Sequence, residues 1–172
     1  MERFEYQPPD ILLRKLELSD VGYWYGYLSI PYVVEHTSWN LSSITELEEL
    51  VKTFNTNEPD SQIRFAIIDK VSDDLIGTIG FHSYVNFSAE IAYDIHPDYW
   101  NRGVATRACE LAIDWGFSQF GLTRIQACAL ASNIGSVIVL RKCGFVQGQS
   151  SIYRVVRGKR KEFLVYSKES RS

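Results

Sequence analysis

The chain has 172 residues, of which 45% are hydrophobic and 13% aromatic, and its formal net charge is −3. This length predicts one domain over residues 1–172, because a single core reaches this size and a split would leave two marginal halves. The charge excludes the basic excess that direct nucleic-acid binding usually needs. An acidic surface is compatible with an amine substrate.

Nothing in the chain predicts export or membrane insertion. No run of about 18 apolar residues occurs, and residues 1–10 lack the basic-then-apolar layout of a signal peptide. Cys109, Cys128 and Cys143 are an odd count without metal-ligand spacing, which suits a reducing compartment and core positions. We therefore expect a cytoplasmic protein with no membrane partner and no metal site.

The first half of the chain predicts strands and two capped helices. Ser19 can cap the first helix, which Pro31 would stop, and Ser43 with Glu46 forms a capping box for the second. The predicted elements, in order, are a strand at 11–16, helices at 19–29 and 43–54, a loop at 55–61, and strands at 64–69 and 75–81.

The second half predicts a parallel strand pair within a mixed sheet. Its elements, in order, are a strand at 90–95, a helix at 104–120, a strand at 124–130, a helix at 134–143, and strands at 151–156 and 161–166. Gly121 and Gly144 stand where helix C-terminal caps favour glycine. Because the central strand-helix-strand unit requires a parallel pair, the fold class is α/β (α+β), with about seven strands in one strongly twisted sheet and helices on both faces.

The step Arg102-Gly103-Val104-Ala105-Thr106 leads into the helix predicted at 104–120. A helix N-terminus reached through a glycine presents free backbone N–H groups and a positive dipole end to an anion. This pattern is typical of a phosphate site, although ordinary close helix packing is the more common reason for such a step when it stands alone.

A second segment, from Asn133 to Phe145, follows some thirty residues later and ends in Lys-Cys-Gly-Phe. The two segments together resemble the GNAT acyl-CoA N-acetyltransferases, and the order of predicted elements is similar to that family's over essentially the whole chain. Within the family, Asn133 with Ser136, the pair Tyr99-Trp100 and Leu-Arg-Lys at 13–15 resemble the branch that acetylates ribosomal-protein alanine and serine N-termini.

The resemblance implies acetyl-CoA as co-substrate, with the first segment as its pyrophosphate loop. Backbone groups of residues 93–95 would pair with the pantetheine amides like an added strand. Asn133 would bond the pantetheine arm as well as cap its helix. The implied cofactor-binding residues are Tyr93, Asp94, Ile95, Asn101, Arg102, Gly103, Val104, Ala105, Thr106, Asn133, Ser136 and Lys142.

Two positions depart from the family pattern. Trp100 occupies the place of a Gln or Arg, so the anion should rest on backbone N–H groups and Arg102. Leu140 occupies the place of a tyrosine acid, which removes the usual proton donor. The second departure leaves a non-catalytic acyl-CoA-binding module as an alternative to an enzyme.

Acetyl transfer requires a neutral amine, stabilisation of the carbonyl oxygen and a proton for the departing thiolate. An α-amine with a pKa near 8 is already partly neutral at pH 7, unlike a lysine near 10.4, so a weak base is enough. Glu90 shares one face of its strand with Asp94 and is the better candidate, since it lies farther from the cofactor loop. A salt-bridged surface residue is the alternative reading. Ser136 is the candidate donor to the sulfur, unless it only bonds its own helix backbone.

The expected function is acetylation of a protein N-terminal α-amine, with a ribosomal protein among the candidate partners. The alternative acceptor is a small amine, either a polyamine or an aminoglycoside, for which a pocket ringed with carboxylates would be expected. Trp39 is a candidate wall of the acceptor site, and His36 could lie beside it. Basic residues between 154 and 161 suggest either an anionic partner or an ordinary charged hairpin tip. Either a monomer or a homodimer is compatible with the sequence.

Overall fold

The structure is a computed structural model that describes residues 9–59 and 61–171. The expectation about a signal peptide concerns mainly residues 1–8, which lie outside the described part. The strands are β1 (Ile11–Lys15), β2 (Ile63–Asp69), β3 (Leu75–Val85), β4 (Ser88–Ile95), β5 (Arg124–Leu130), β6 (Val146–Val156) and β7 (Lys159–Glu169). The helices are α1 (Val21–Leu28), α2 (Pro31–Val34), α3 (Ile44–Lys52), α4 (Val104–Ser118) and α5 (Ile134–Lys142).

The described strands form one sheet in the order β1-β2-β3-β4-β5-β7-β6. β4 and β5 are parallel, joined by the crossover helix α4, and the other pairs are antiparallel. The predicted mixed seven-stranded sheet is therefore confirmed. None of the helices in the described residues is long and apolar enough to cross a bilayer.

Helices cover both faces of the sheet, as predicted. On one face α4 buries Ala108, Ala112 and Ile113 against strand residues such as Ile79 and Ile125. On the other face α1 and α3 bury a second cluster over β2 and β3. Its members include Trp24, Tyr27, Leu47, Val51, Ala66 and Ile68.

The helix starts differ from prediction in instructive ways. Ser19 does not cap α1, because a 3-10 turn from Leu18 to Asp20 precedes that helix. Pro31 does not merely end a helix; it opens α2 at the first helical position, where its missing N–H costs nothing. Ser43 caps α3 as predicted, but the carboxylate of Glu46 accepts from the backbone N–H and hydroxyl of Ser42.

Several strands are longer than predicted, and β3, β6 and β7 are extended the most. β3 runs on to a tight turn in which Asn86 and Phe87 both have positive φ, 49° and 62°. β6 begins at Val146 rather than 151, because a register shift between Gln147 and Ser151 lets the strand continue through polar residues. Neither bulge nor turn is encoded by a glycine-rich pattern that sequence inspection would notice.

The parallel strands β4 and β5 are hydrogen-bonded only over their first residues. β4 and β5 are in register only through Ser88, Ala89 and Glu90, the last of which pairs with Gln126. Beyond Glu90 the two strands separate, while β4 stays paired with β3 as far as Ile95. Backbone groups of Tyr93 to Ile95 that face away from β3 therefore lie along an open gap.

Candidate active site

A cleft of about 670 Å³ occupies this gap between β4 and β5. α2, the loop before α4, the first turn of α4 and the face of α5 form its walls. The lining includes eleven residues expected to bind the cofactor: Tyr93, Asp94, Ile95, Asn101, Gly103, Val104, Ala105, Thr106, Asn133, Ser136 and Lys142. The two segments singled out in the sequence thus meet at one site.

The first turn of α4 suits an anion. Gly103 is the N-cap residue of this 15-residue helix and has a φ of 75°, a left-handed conformation that glycine adopts without strain. No side chain caps the turn, so its backbone N–H groups remain available. Together with the open edge of β4, this arrangement fits the pyrophosphate and the amides of a coenzyme A thioester.

The neighbouring aromatic residues shape this end of the cleft. The Trp100 indole donates to the carbonyl of Ile95 at 2.8 Å and meets the Tyr32 ring edge-on, with the ring centres 6.0 Å apart. Arg102, which is not among the lining residues, places its guanidinium 5.4 Å from the centre of the Tyr99 ring. Trp100 therefore braces the loop, and Arg102 stands at its rim.

Asp94 lies at the centre of a buried hydrogen-bond network. Its Oδ1 accepts from Trp24 Nε1 at 3.0 Å and from the Tyr27 hydroxyl at 2.6 Å. Its Oδ2 accepts from Trp39 Nε1, a guanidinium nitrogen of Arg64 and the hydroxyl of Thr78, at 3.2, 2.8 and 2.9 Å respectively. This carboxylate has five donors and no free lone pair to offer a substrate. Burial and the Asp94 charge raise the pKa of Tyr27 well above its usual value.

Glu90 has looser partners on the same strand face. Its carboxylate lies 3.5 Å from a guanidinium nitrogen of Arg154 and 3.9 Å from Nε2 of His82, and its side chain is 15% exposed. It does not line the cleft, but it marks the point where β4 and β5 part. The salt-bridged reading is thus correct as geometry, and a role as base needs a bridging water.

Ser136 and Tyr93, which both line the cleft, are joined by a hydrogen bond. Their hydroxyl oxygens are 2.8 Å apart, and the serine backbone N–H donates to Asn133 Oδ1 at 3.1 Å. Burial raises the pKa of the Tyr93 hydroxyl, which keeps that group protonated. Leu140, at the position where the resemblance implied a tyrosine, is buried in the core and does not line the cleft.

Asn133 and Trp39 both have structural contacts. The Asn133 amide donates to the carbonyl of His36 at 3.2 Å, which ties the start of α5 to the segment after α2. Trp39 packs edge-on against Trp24 with ring centres 5.3 Å apart and, like Glu90, is absent from the cleft lining. The Trp39 indole donates to Asp94, and its predicted role as a wall of the acceptor site stays a prediction.

The cysteines offer no reactive thiol at the cleft. Burial raises the pKa of Cys128 to about 11, so its thiolate is scarce near neutrality. A hydrogen bond between the thiols of Cys109 and Cys143 raises the pKa of the first and lowers that of the second, but neither lines the cleft. Among the described residues, no group of three or more potential ligands could hold a metal ion.

Two contributions at the site escaped the sequence analysis. Only the backbone of Tyr93 was expected to contribute to the site, but its side-chain hydroxyl contacts Ser136. Arg157 donates to the carbonyls of Glu35 and Trp39 at 3.0 and 2.6 Å and so fixes the segment after α2. The sequence Arg157-Gly158-Lys159 indicates the turn between β6 and β7, in which Arg157 has a φ of 48°.

Comparison with known proteins agrees with this geometry. Residues 10–146 match the family model described as an acetyltransferase (GNAT) domain. The chain is 30% identical over 162 residues, 91% of each chain, to the uncharacterised N-acetyltransferase p20 of Bacillus licheniformis. It is 34% identical over 139 residues, 78% of each chain, to the N-acetyltransferase YoaA of Bacillus subtilis.

A solved structure shares the fold at lower identity. The spermidine N-acetyltransferase of Vibrio cholerae, in complex with CoA and spermine, superposes with a TM-score of 0.81 at 22% identity, covering 92% of this chain and 95% of that one. With the family match and the cleft built from its two expected segments, the chain belongs to the GNAT family and is an N-acetyltransferase that uses acetyl-CoA.

Proposed function

We propose that this enzyme transfers the acetyl group of acetyl-CoA to the α-amine of a protein N-terminus. The observation that carries the proposal is that the carboxylates at and near the cleft already have hydrogen-bond or ion-pair partners. Asp94 is the one acidic residue among those lining the cleft, and its five donors leave it unable to bind a cation. Glu90, the nearest other carboxylate on that strand face, is already paired with Arg154.

This charge pattern is unfavourable for a polyamine, which carries several positive charges and needs several carboxylates. A spermidine acetyltransferase shares the fold, but at an identity that speaks for the fold alone. An N-terminal α-amine carries one charge at most and is partly neutral near pH 7. A site with one weakly placed base is adequate for that acceptor.

In the proposed reaction Glu90 accepts the amine proton through a water, while Ser136 Oγ donates to the departing sulfur. The Tyr93 hydroxyl, 2.8 Å from Ser136 Oγ, holds that serine in place. The raised pKa of Tyr93 suits this role, because a protonated phenol can donate to the serine oxygen and leave the serine proton for the sulfur.

The experiment is a thiol-release assay with acetyl-CoA and a panel of acceptors. We expect release with peptides that have a free α-amine and little with the same peptides blocked at the N-terminus, even when they contain lysine. Thiol release only with spermidine would show that the enzyme acts on small amines. Acetyl-CoA binding without release on any acceptor would support the non-catalytic module instead.

The pH dependence of kcat/KM is a second test of which amine is the acceptor. With an α-amine, kcat/KM should rise with pH and level off at about pH 8, where the amine becomes neutral. With a lysine or polyamine acceptor the rise should continue toward about pH 10.

A further inference from the structure

The basic side chains of the β6–β7 hairpin differ in the groups that they contact. Arg157 is committed to the backbone carbonyls of Glu35 and Trp39. Arg160 lies on the opposite face of the hairpin, with its guanidinium 4.2 Å from the centre of the Tyr153 ring. Neither is available to a ligand at the strand face that carries Glu90.

Arg154 is placed differently. One guanidinium nitrogen lies 3.5 Å from Glu90 Oε2, and the group stacks 5.3 Å from the centre of the buried Phe163 ring. Its side chain is 43% exposed, and its other nitrogen atoms have no hydrogen-bond partner among the described residues. Arg154 is thus a fixed guanidinium with unused donors beside the candidate base.

The surrounding charge on this face is positive. Lys161 pairs with Arg154 in the β6–β7 register, and Lys159, two positions earlier in β7, projects to the same face. These cations favour an anionic group in the ligand and disfavour a second ammonium group.

We propose that the acceptor carries a carboxylate within a few ångströms of its reacting amine, and that Arg154 binds this carboxylate while the amine faces Glu90. The inference rests on the proposed function. The source that fits both this chemistry and the proposed function is an Asp or Glu side chain among the first three residues of a peptide. Arg154 would then determine specificity without taking part in proton transfer.

The test compares kcat/KM for matched peptides with Asp or Asn at positions one, two and three. We expect the acid to be preferred at one position by about 10-fold or more, as a charge-assisted hydrogen bond would give. The position that shows the preference identifies the source of the carboxylate. The preference should shrink when salt rises from about 50 to about 500 mM.

R154Q should abolish the preference, R154E should reverse it toward a lysine at the same position, and R160Q should leave it unchanged. Wild-type enzyme alone also tests the idea, through the Asp/Asn ratio and its salt dependence, should an Arg154 variant fold poorly. Equal rates for acids and amides in the wild type, or an unchanged ratio in R154Q, would overturn this inference while leaving N-terminal acetylation intact. Absence of release with every peptide would instead overturn the proposed function.

Discussion

Asp94 and Glu90 lie on the same face of β4, four residues or about 13 Å apart, yet their surroundings have little in common. Asp94 is buried, with five donors from α1, β2, β3 and the segment after α2. Glu90 is partly exposed, and its carboxylate lies 3.5 Å from a guanidinium nitrogen of Arg154 and 3.9 Å from Nε2 of His82. Asp94 thus joins four parts of the fold, whereas the side-chain contacts of Glu90 are looser.

The difference shows why strand alternation alone cannot assign a catalytic carboxylate. Asp94 is buried, and all of its lone pairs accept hydrogen bonds. It stabilises the fold because the Arg64 guanidinium, whose side chain is 7% exposed, would have no counter-ion without it. A carboxylate at the point where two strands part has water access and weak partners. Variants at the two positions should therefore separate stability from rate.

The largest effect is expected for Asp94→Asn. Loss of the charge leaves the Arg64 guanidinium buried without a counter-ion, which should lower the free energy of unfolding by about 3–5 kcal/mol. Urea denaturation measures this change. Asp98→Asn, whose side chain is 82% exposed, is the matched control and should change stability by less than about 0.5 kcal/mol. Equal stability of the two variants would contradict the structural role of Asp94.

Glu90→Gln should show the opposite behaviour. We expect kcat to fall about 100-fold, the lower end of what a positioned base contributes, with the largest loss at low pH. The free energy of unfolding should change by less than about 1 kcal/mol, because the ion pair with Arg154 is partly exposed. Steady-state kinetics across pH gives the answer, and an unchanged pH profile would remove Glu90 as the base.

Gly103→Ala should affect cofactor binding more than catalysis. A side chain at a φ of 75° costs about 1–2 kcal/mol and disturbs the N–H groups at the start of α4. We expect KM for acetyl-CoA to rise about 10-fold with a smaller change in kcat. Gly121→Ala, at a φ of 77° and away from the cleft, carries similar strain as a control. A similar KM in both variants would argue against an anion site at Gly103.

Tyr93→Phe tests the hydroxyl pair at the cleft. Loss of one neutral hydrogen bond to Ser136 should lower kcat about 5-fold and leave KM for acetyl-CoA nearly unchanged. Tyr84→Phe, a tyrosine outside the cleft, should have no effect on kcat. If Ser136→Ala matches the wild type, the sulfur takes its proton from elsewhere.

The smallest effect concerns His82, which pairs with Glu90 in the β3–β4 register. Burial lowers the pKa of His82, so the unfolded chain binds the proton more readily than the folded one. Stability should therefore fall as pH drops through the ordinary histidine range near about 6.5, and His82→Gln should flatten that slope. Urea unfolding of both proteins at several pH values tests this; parallel slopes would contradict it.

Much of the site was readable from sequence because it depends on local signals. Gly103 before a helix and Asn133 with Ser136 are short patterns whose meaning survives without tertiary information, and the structure brings both to one cleft. The fold followed from apolar alternation and glycine caps. Ser43 capped α3 for the same reason.

The rest depends on contacts between residues distant in sequence. Trp24, Trp39, Arg64 and Thr78 converge on Asp94 from four elements, and no spacing rule predicts such a meeting. Arg154 reaches Glu90 across 64 residues of sequence, from a strand that β5 and β7 separate from β4 in the order of the sheet. The Trp39 indole reaches Asp94 through tertiary packing of the same kind, and its predicted role as a wall of the acceptor site stays a prediction.

The most direct test of the central claim offers the enzyme one peptide with a free N-terminal amine and an internal lysine, together with an equimolar amount of spermidine. Tandem mass spectrometry then locates the acetyl group. We expect acetylation at the N-terminal α-amine, with the lysine and spermidine largely unmodified. Acetyl groups found mainly on spermidine or on the lysine side chain would contradict the account.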